Sequence, residues 1–216
     1  MSGIYNGLQA HIRPLYVPCA AHSLNLVGQN AAEATSEGTR FFYNTQMIYN
    51  FFSGSISHWE ILEKCLDKTP DSLTIKNLCK TRWSSRYDVC KSLNVGYKEI
   101  LQSLEKIYLD KNQRLATCHE ARSIHKKINS LEFSFLLSMW SPILKRFDAT
   151  SKTLQSENID LSIVISLYRS LKDYIGNMRS SFHLFLENSQ IRCGSEIFSW
   201  EISRTKKKNQ RFISKI

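Results

Sequence analysis

Helical spacing of the apolar residues is the feature of this sequence that most limits its fold. From about residue 36 onward, apolar side chains recur every three or four positions, and no stretch alternates apolar and polar residues with period two. The 216-residue chain has only 8 glycines and 4 prolines to interrupt such helices. We therefore predict an all-α body. Its core is expected along three apolar stripes, from Leu93 to Tyr108, from Phe133 to Phe147 and from Leu161 to Ile175.

Short polar patterns indicate where two of these helices begin. Ser57 and Glu60 have the spacing of a capping box, in which each side chain accepts a hydrogen bond from the backbone of the other residue. The box would open a short helix that buries Leu62 and Leu66. Thr81 is placed to cap the next helix.

The N-terminal region has a different pattern. Residues Leu15 to Val17 form a short extended run between Pro14 and Pro18, and helical character resumes at Ala20. A single strand leaves its backbone groups unpaired, so its partner strands would have to come from outside this sequence. We therefore expect a truncated form of a larger fold. Apolar residues that a missing sheet would cover, such as Leu24, Leu26 and Val27, are expected to be incompletely buried and to favour self-association.

The net charge of +10 is concentrated in two segments. Residues 76–98 and residues 201–216 each contain six basic residues and one acidic residue, so each segment carries +5. Clustered positive charge attracts a polyanion such as nucleic acid, because each neutralised phosphate releases counterions. A solvated helix face and a basic tail without fixed structure would give the same pattern.

Composition places the protein inside the cell. Six scattered cysteines without a repeated spacing are typical of free thiols in a reducing compartment. No apolar run approaches the length that spans a bilayer, and the first residues lack the pattern of a secretory signal. The basic run from Arg204 to Arg211 is typical of a nuclear-import or nucleic-acid patch, so we expect a nuclear location.

Three segments of the chain resemble hAT-superfamily transposases, specifically the domesticated group around zinc finger MYM-type protein 1. They are Met1 to Ala10, Tyr16 to Val27, which contains a Cys-x-x-His spacing, and Lys80 to Tyr87, which contains Thr-Arg-Trp. Weaker similarity continues through Leu131 to Phe135 and on to about Arg179.

The resemblance implies a ribonuclease-H-like catalytic domain interrupted by a large helical insertion. Residues 1–35 would be a remnant of the catalytic core, residues 36–200 the helical insertion and residues 201–216 a basic tail or linker. Such transposases cut DNA with three acidic residues that bind two divalent metals. The first two of these residues have no counterpart in this chain, because the matching segment begins at Met1. We therefore expect no enzymatic activity, no metal and no cofactor.

The acidic residues that are present give no sign of a two-metal site. Such a site needs clustered carboxylates that hold two ions about 3.5–4 Å apart. The glutamates instead fall on the polar faces of amphipathic helices, where solvation is the ordinary role. They are Glu33, Glu37, Glu60, Glu63, Glu99 and Glu105.

Arg82, Trp83 and Arg86 are the candidate nucleic-acid-binding residues. On a helix that starts near Thr81, Arg82 and Arg86 share one face, beside an apolar stripe that includes Trp83. The resemblance implies that this tryptophan stacks on a base flipped out of the duplex next to the cleavage site. A tryptophan buried in the helical core would give the same sequence pattern.

Cys19 and His22 form a second candidate site. Both residue types bind zinc, but a single Cys-x-x-His pair supplies only half of a zinc site. The resemblance instead implies a motif near the ancestral active site. Taken together, these observations predict a catalytically incomplete transposase-derived protein with weak, non-specific DNA binding. The alternative is a helical protein-interaction module without a nucleic-acid role.

Overall fold

The computed structural model describes residues 19–67, 74–78, 83–157 and 159–193. Helices account for 85% of these residues and no strand occurs among them, which confirms the all-α prediction for this part of the chain. The short strand expected at Leu15 to Pro18 lies outside the described residues, as does the basic tail.

The helices follow one another with short connections. They are α1 (Ala20–Glu33), α2 (Ser36–Ser53), α3 (Ile56–Leu66), α4 (Trp83–Val95), α5 (Tyr97–Leu109), α6 (Leu115–Ile128), α7 (Leu131–Leu154), α8 (Leu161–Met178) and α9 (Phe182–Cys193), with a 3-10 turn (Arg179–Ser181) between the last two.

Side-chain caps fix the starts of three of these helices. Thr35 accepts a hydrogen bond from the backbone N–H of Gly38 at 3.0 Å, and Ser130 accepts one from Phe133 at 3.3 Å. Asp160 caps α8 in the same way. The capping box predicted at Ser57 is wrong. Ser55, whose backbone is extended, is the N-terminal cap of α3, and Ser57 already lies within the first turn.

Helix α7 is the central element of the fold. It packs against α4 and α9 most extensively and also contacts α1, α2, α6 and α8. Its apolar residues are buried as the second stripe predicts: Leu137 and Leu144 are fully buried, and Trp140 lies 5.3 Å from the ring of Phe42 on α2. In a second group of helices, α5 packs against both α3 and α6, and α3 and α6 each contact α2.

Two of the predicted stripes need correction. The stripe from Leu93 to Tyr108 is divided between α4 and α5, which separate at Gly96. A Cβ at Gly96 would lie 2.8 Å from the terminal methyl Cδ2 of Leu66, so a larger residue there would displace that side chain. In the third stripe Val164 and Leu171 are buried, but Leu161 is 60% exposed because α8 presents only one face to α7.

The expectation for the N-terminal apolar residues is met only in part. Leu24 is 2% exposed and packs in the core, so its predicted exposure is wrong. Leu26 and Val27, on the same helix, are 47% and 60% exposed. Other helices of this chain thus cover one face of α1.

The central position of α7 gives a stability prediction. Leu137→Ala should lower the free energy of unfolding by about 2–5 kcal/mol, because it opens a cavity at a fully buried site. Leu161→Ala, at an exposed site on α8, serves as the matched control and should change it by less than about 0.5 kcal/mol. Chemical denaturation followed by circular dichroism measures both. Equal effects of the two substitutions would contradict the central role of α7.

Candidate nucleic-acid interface

Helix α4 carries the part of the basic segment that the structure describes. The helix begins at Trp83, two residues after the predicted cap, and runs to Val95. Arg82 and the side chain of Trp83 lie outside the described residues, so their predicted roles stay predictions. Upstream of the helix, Lys76 forms an ion pair of 3.2 Å with Asp88 and neutralises part of the local charge.

Arg86 is buried in the interface between α4, α2 and α1. Its guanidinium carbon lies 4.4 Å from the centre of the Phe42 ring, and its Nη2 lies 3.9 Å from Oε1 of Glu33. Only 11% of the side chain is exposed. Burial lowers the pKa of Arg86, and the nearby Glu33 and Cys90 act in the opposite direction.

The residues around Arg86 form an aromatic and apolar cluster. Cys90 is fully buried one turn further along α4, and loss of solvent raises the pKa of its thiol to about 12. Phe42 contacts Arg86 on one side and the Trp140 ring on the other. The cluster therefore links four helices through a cation, two rings and a neutral thiol.

This arrangement differs from the sequence interpretation of Arg86. A helix face with two arginines was expected to meet phosphate, but the face of α4 that holds Arg86 is the one that also buries Val89 and Leu93. The burial leaves little of Arg86 exposed for a phosphate. Its long aliphatic stem and planar head suit it to packing on an aromatic ring.

Lysines supply the exposed positive charge in this region. Lys91 on α4 and Lys98 on α5 are exposed, and no ion pair involves either of them in the part of the chain that the structure describes. These two residues are available for contact with a polyanion.

Cys19 and His22 lie at the other end of α1 from the Arg86 cluster. Cys19 is the N-terminal cap residue and His22 lies in the first turn, and both are exposed. Eleven residues separate His22 from Glu33, which corresponds to about 16 Å along the helix axis. The structure therefore does not bring the two candidate sites together.

The described residues contain no group of three or more His, Cys, Asp or Glu side chains that could hold a metal ion. The glutamates considered above are exposed apart from Glu99, which is half-buried. Glu33 is the one among them whose contact matters for the fold, because it pairs with Arg86.

Sequence reasoning missed a second cationic site at α9. Arg192 packs over the ring of Tyr97 at 5.5 Å and donates a hydrogen bond of 2.6 Å to Oδ1 of Asn94. Together with Lys98 it borders a cleft. A sequence separation of 98 residues between Asn94 and Arg192 explains why no local pattern marks the site.

Comparison of the chain with protein-family models, with curated proteins and with solved structures finds no match. None of the helices described above combines the length and the apolar character required to cross a membrane. The site must therefore be interpreted from its own residues.

The Arg86 environment predicts a role in stability. Arg86→Ala should lower the free energy of unfolding by about 1–3 kcal/mol, because it removes a desolvated cation–aromatic contact and the packing of the stem. Lys91→Ala, an exposed cation on the same helix, should change it by less than about 0.5 kcal/mol.

Urea denaturation of both variants measures this difference. If Arg86→Ala leaves the unfolding free energy unchanged, the packing role of Arg86 is wrong. A parallel measurement of nucleic-acid affinity with folded protein shows whether Arg86 also contacts phosphate.

Proposed function

We propose that this chain is a catalytically incomplete, transposase-derived helical domain that binds nucleic acid weakly and without sequence preference. The observation that carries the proposal is the exposure of Lys91 and Lys98, which follow the segment Lys80 to Tyr87 that resembles the hAT transposases. Trp83 begins a helix there, and Lys91 and Lys98 remain exposed on this helix and the next.

The fold is compatible with an origin in a helical insertion. The weaker segment of resemblance, Leu131 to Phe135, forms the start of the central helix α7. The Cys-x-x-His segment forms the start of α1, which packs on α7 and α4. Segments that are distant in sequence thus belong to one packed unit.

Few phosphate contacts are expected, which makes the binding weak. In the described part of the segment, Lys76 is paired with Asp88 and Arg86 is buried. The two exposed cations, Lys91 and Lys98, give a small electrostatic term, and this term depends on salt because counterions are released.

Salt dependence tests the proposal. For single-stranded DNA the slope of log affinity against log salt is about −0.7 per phosphate contact, so two contacts predict a loss of about sevenfold between 50 and 200 mM salt. Fluorescence anisotropy with labelled oligonucleotides of several sequences measures the slope. Affinity that does not change with salt, or that follows one sequence only, would contradict the proposal.

Trp83 supplies a second test. Trp83→Ala should cost about 1–3 kcal/mol of binding to single-stranded DNA if the ring stacks on a base. If the ring is instead part of the core, the free energy of unfolding should fall by about 3–5 kcal/mol. Affinity and melting temperature are measured on the same preparation. Unchanged affinity for single-stranded DNA in a fully folded variant would show that the Trp83 ring does not stack on a base.

A helical protein-interaction module is the second candidate function, and one observation favours it. Helices α8 and α9 have exposed apolar side chains: Leu161, Ile163, Ile165, Phe182, Leu184 and Ile191. Apolar surface of this kind is typical of protein interfaces. Association that persists at high salt and is lost in Ile163→Ser or Ile191→Ser would favour this function over nucleic-acid binding.

A further inference from the structure

A cleft of about 420 Å³ lies between α4, α5, α7 and α9. Its wall combines cationic, neutral polar and apolar side chains from these four helices. They are Asn94, Lys98, Ser138, Ser141, Pro142, Phe185, Asn188, Ile191 and Arg192. Two of them are cations and none of these described residues is a carboxylate, so the local charge is positive.

Two contacts hold Arg192 in place, but one of its nitrogen atoms has no hydrogen-bond partner. Its Nη2 donates to Oδ1 of Asn94 at 2.6 Å, and its head packs over the Tyr97 ring. Its Nη1 is buried and has no hydrogen-bond partner in the structure. A buried guanidinium N–H without an acceptor is costly, so a shift of the side chain that brings Nη1 to an acceptor in the cleft would be favoured.

Asn94 adds neutral donors to the cleft. Because it accepts from Arg192 through its oxygen, its amide N–H groups remain free to donate. The hydroxyl hydrogens of the two serines are already used. Ser141 donates to the carbonyl of Leu137. Ser138 donates to Ser189 at 3.4 Å, because Ser189 donates its own hydrogen to the carbonyl of Phe185. The Asn94 amide lines the same cleft as the ammonium of Lys98, which is exposed.

An oxyanion matches this set of donors. Phosphate carries negative charge and several acceptor oxygens, which guanidinium and ammonium groups bind through charge-assisted hydrogen bonds. The apolar part of the wall, which includes Phe185 and Ile191, suits an organic group attached to the phosphate. The volume is within the range of small-molecule sites.

We propose that this cleft binds a nucleotide, with the phosphate at Arg192 and Lys98 and the organic part against Phe185. The nucleotide is either free or one unit of a nucleic-acid strand. The inference shares Lys98 with the proposed function, but it does not use Lys91 and adds Arg192, Asn94 and the apolar wall of the cleft.

Titration of the full chain by heteronuclear NMR tests the cleft. The probes are adenosine 5′-monophosphate, adenosine, inorganic phosphate and a single-stranded hexanucleotide. The monophosphate should shift amide signals of α5 and α9 near Lys98 and Arg192, and adenosine should bind at least tenfold more weakly because it lacks the phosphate. Equal binding of adenosine and the monophosphate would overturn the proposal.

Charge-removing variants make the test specific. Lys98→Gln should weaken binding of the monophosphate about tenfold, whereas Lys91→Gln, an exposed lysine outside the cleft, should change it less than twofold. Arg192→Gln should weaken it at least as much as Lys98→Gln, and its melting temperature shows whether it remains folded. If Lys98→Gln weakens binding of the monophosphate no more than Lys91→Gln does, the cleft does not bind the phosphate.

The hexanucleotide distinguishes the two sources of phosphate and separates this inference from the proposed function. If the monophosphate and the hexanucleotide both bind, and Lys98→Gln weakens each of them, the cleft binds a nucleic-acid strand as well as the free nucleotide. Binding of the monophosphate alone assigns it to a free nucleotide. Salt-dependent binding of the hexanucleotide that Lys98→Gln does not affect, without binding of the monophosphate, would show that the cleft binds no nucleotide and would leave Lys91 as the cation on which the proposed function rests.

Discussion

The need to bury helix α7 on several sides determines the rest of the structure. From Leu131 to Leu144 no residue of this helix is exposed, so partners must cover it around most of its circumference. Helices from both ends of the chain do so, with α1 and α4 on the N-terminal side of the sequence and α8 and α9 on the C-terminal side. A soluble helix of this composition cannot stand alone, because its exposed apolar area would drive association.

Arg86 shows how a charged residue can belong to this packing. Full desolvation of a guanidinium is unfavourable, but the face of the Phe42 ring and the carboxylate of Glu33 compensate part of the cost. The compensation explains how a basic residue can lie between three helices. It also means that the formal charge of a segment overstates the charge that a ligand would meet.

The fold class was predictable from the sequence because helical spacing depends only on neighbouring residues. The same reasoning predicted the buried positions of α7, where one stripe corresponds to one helix. It failed at Gly96, where a stripe continues in sequence although one helix ends and the next begins, because spacing alone does not mark a break between two consecutive helices. It also failed for Leu24, whose cover comes from distant parts of the chain.

The candidate sites were less predictable than the fold, for a related reason. An arginine on a helix has the same local pattern whether it faces solvent or a phenylalanine, so burial of Arg86 depends on tertiary contacts. The cleft at Arg192 is formed by residues from four helices and has no local signature.

The long sequence separation of the contacts made by α1 has a consequence for biosynthesis. The hydroxyl of Tyr168 donates to the backbone carbonyl of Ala20, and these two residues are 148 positions apart. At a synthesis rate of about 5–20 residues per second, α1 waits roughly 7–30 s before α8 is made. During that interval α1 can already pack against α2, α4 and α7, but its Ala20 carbonyl lacks the Tyr168 hydroxyl, so this end of the helix acquires its native contacts last.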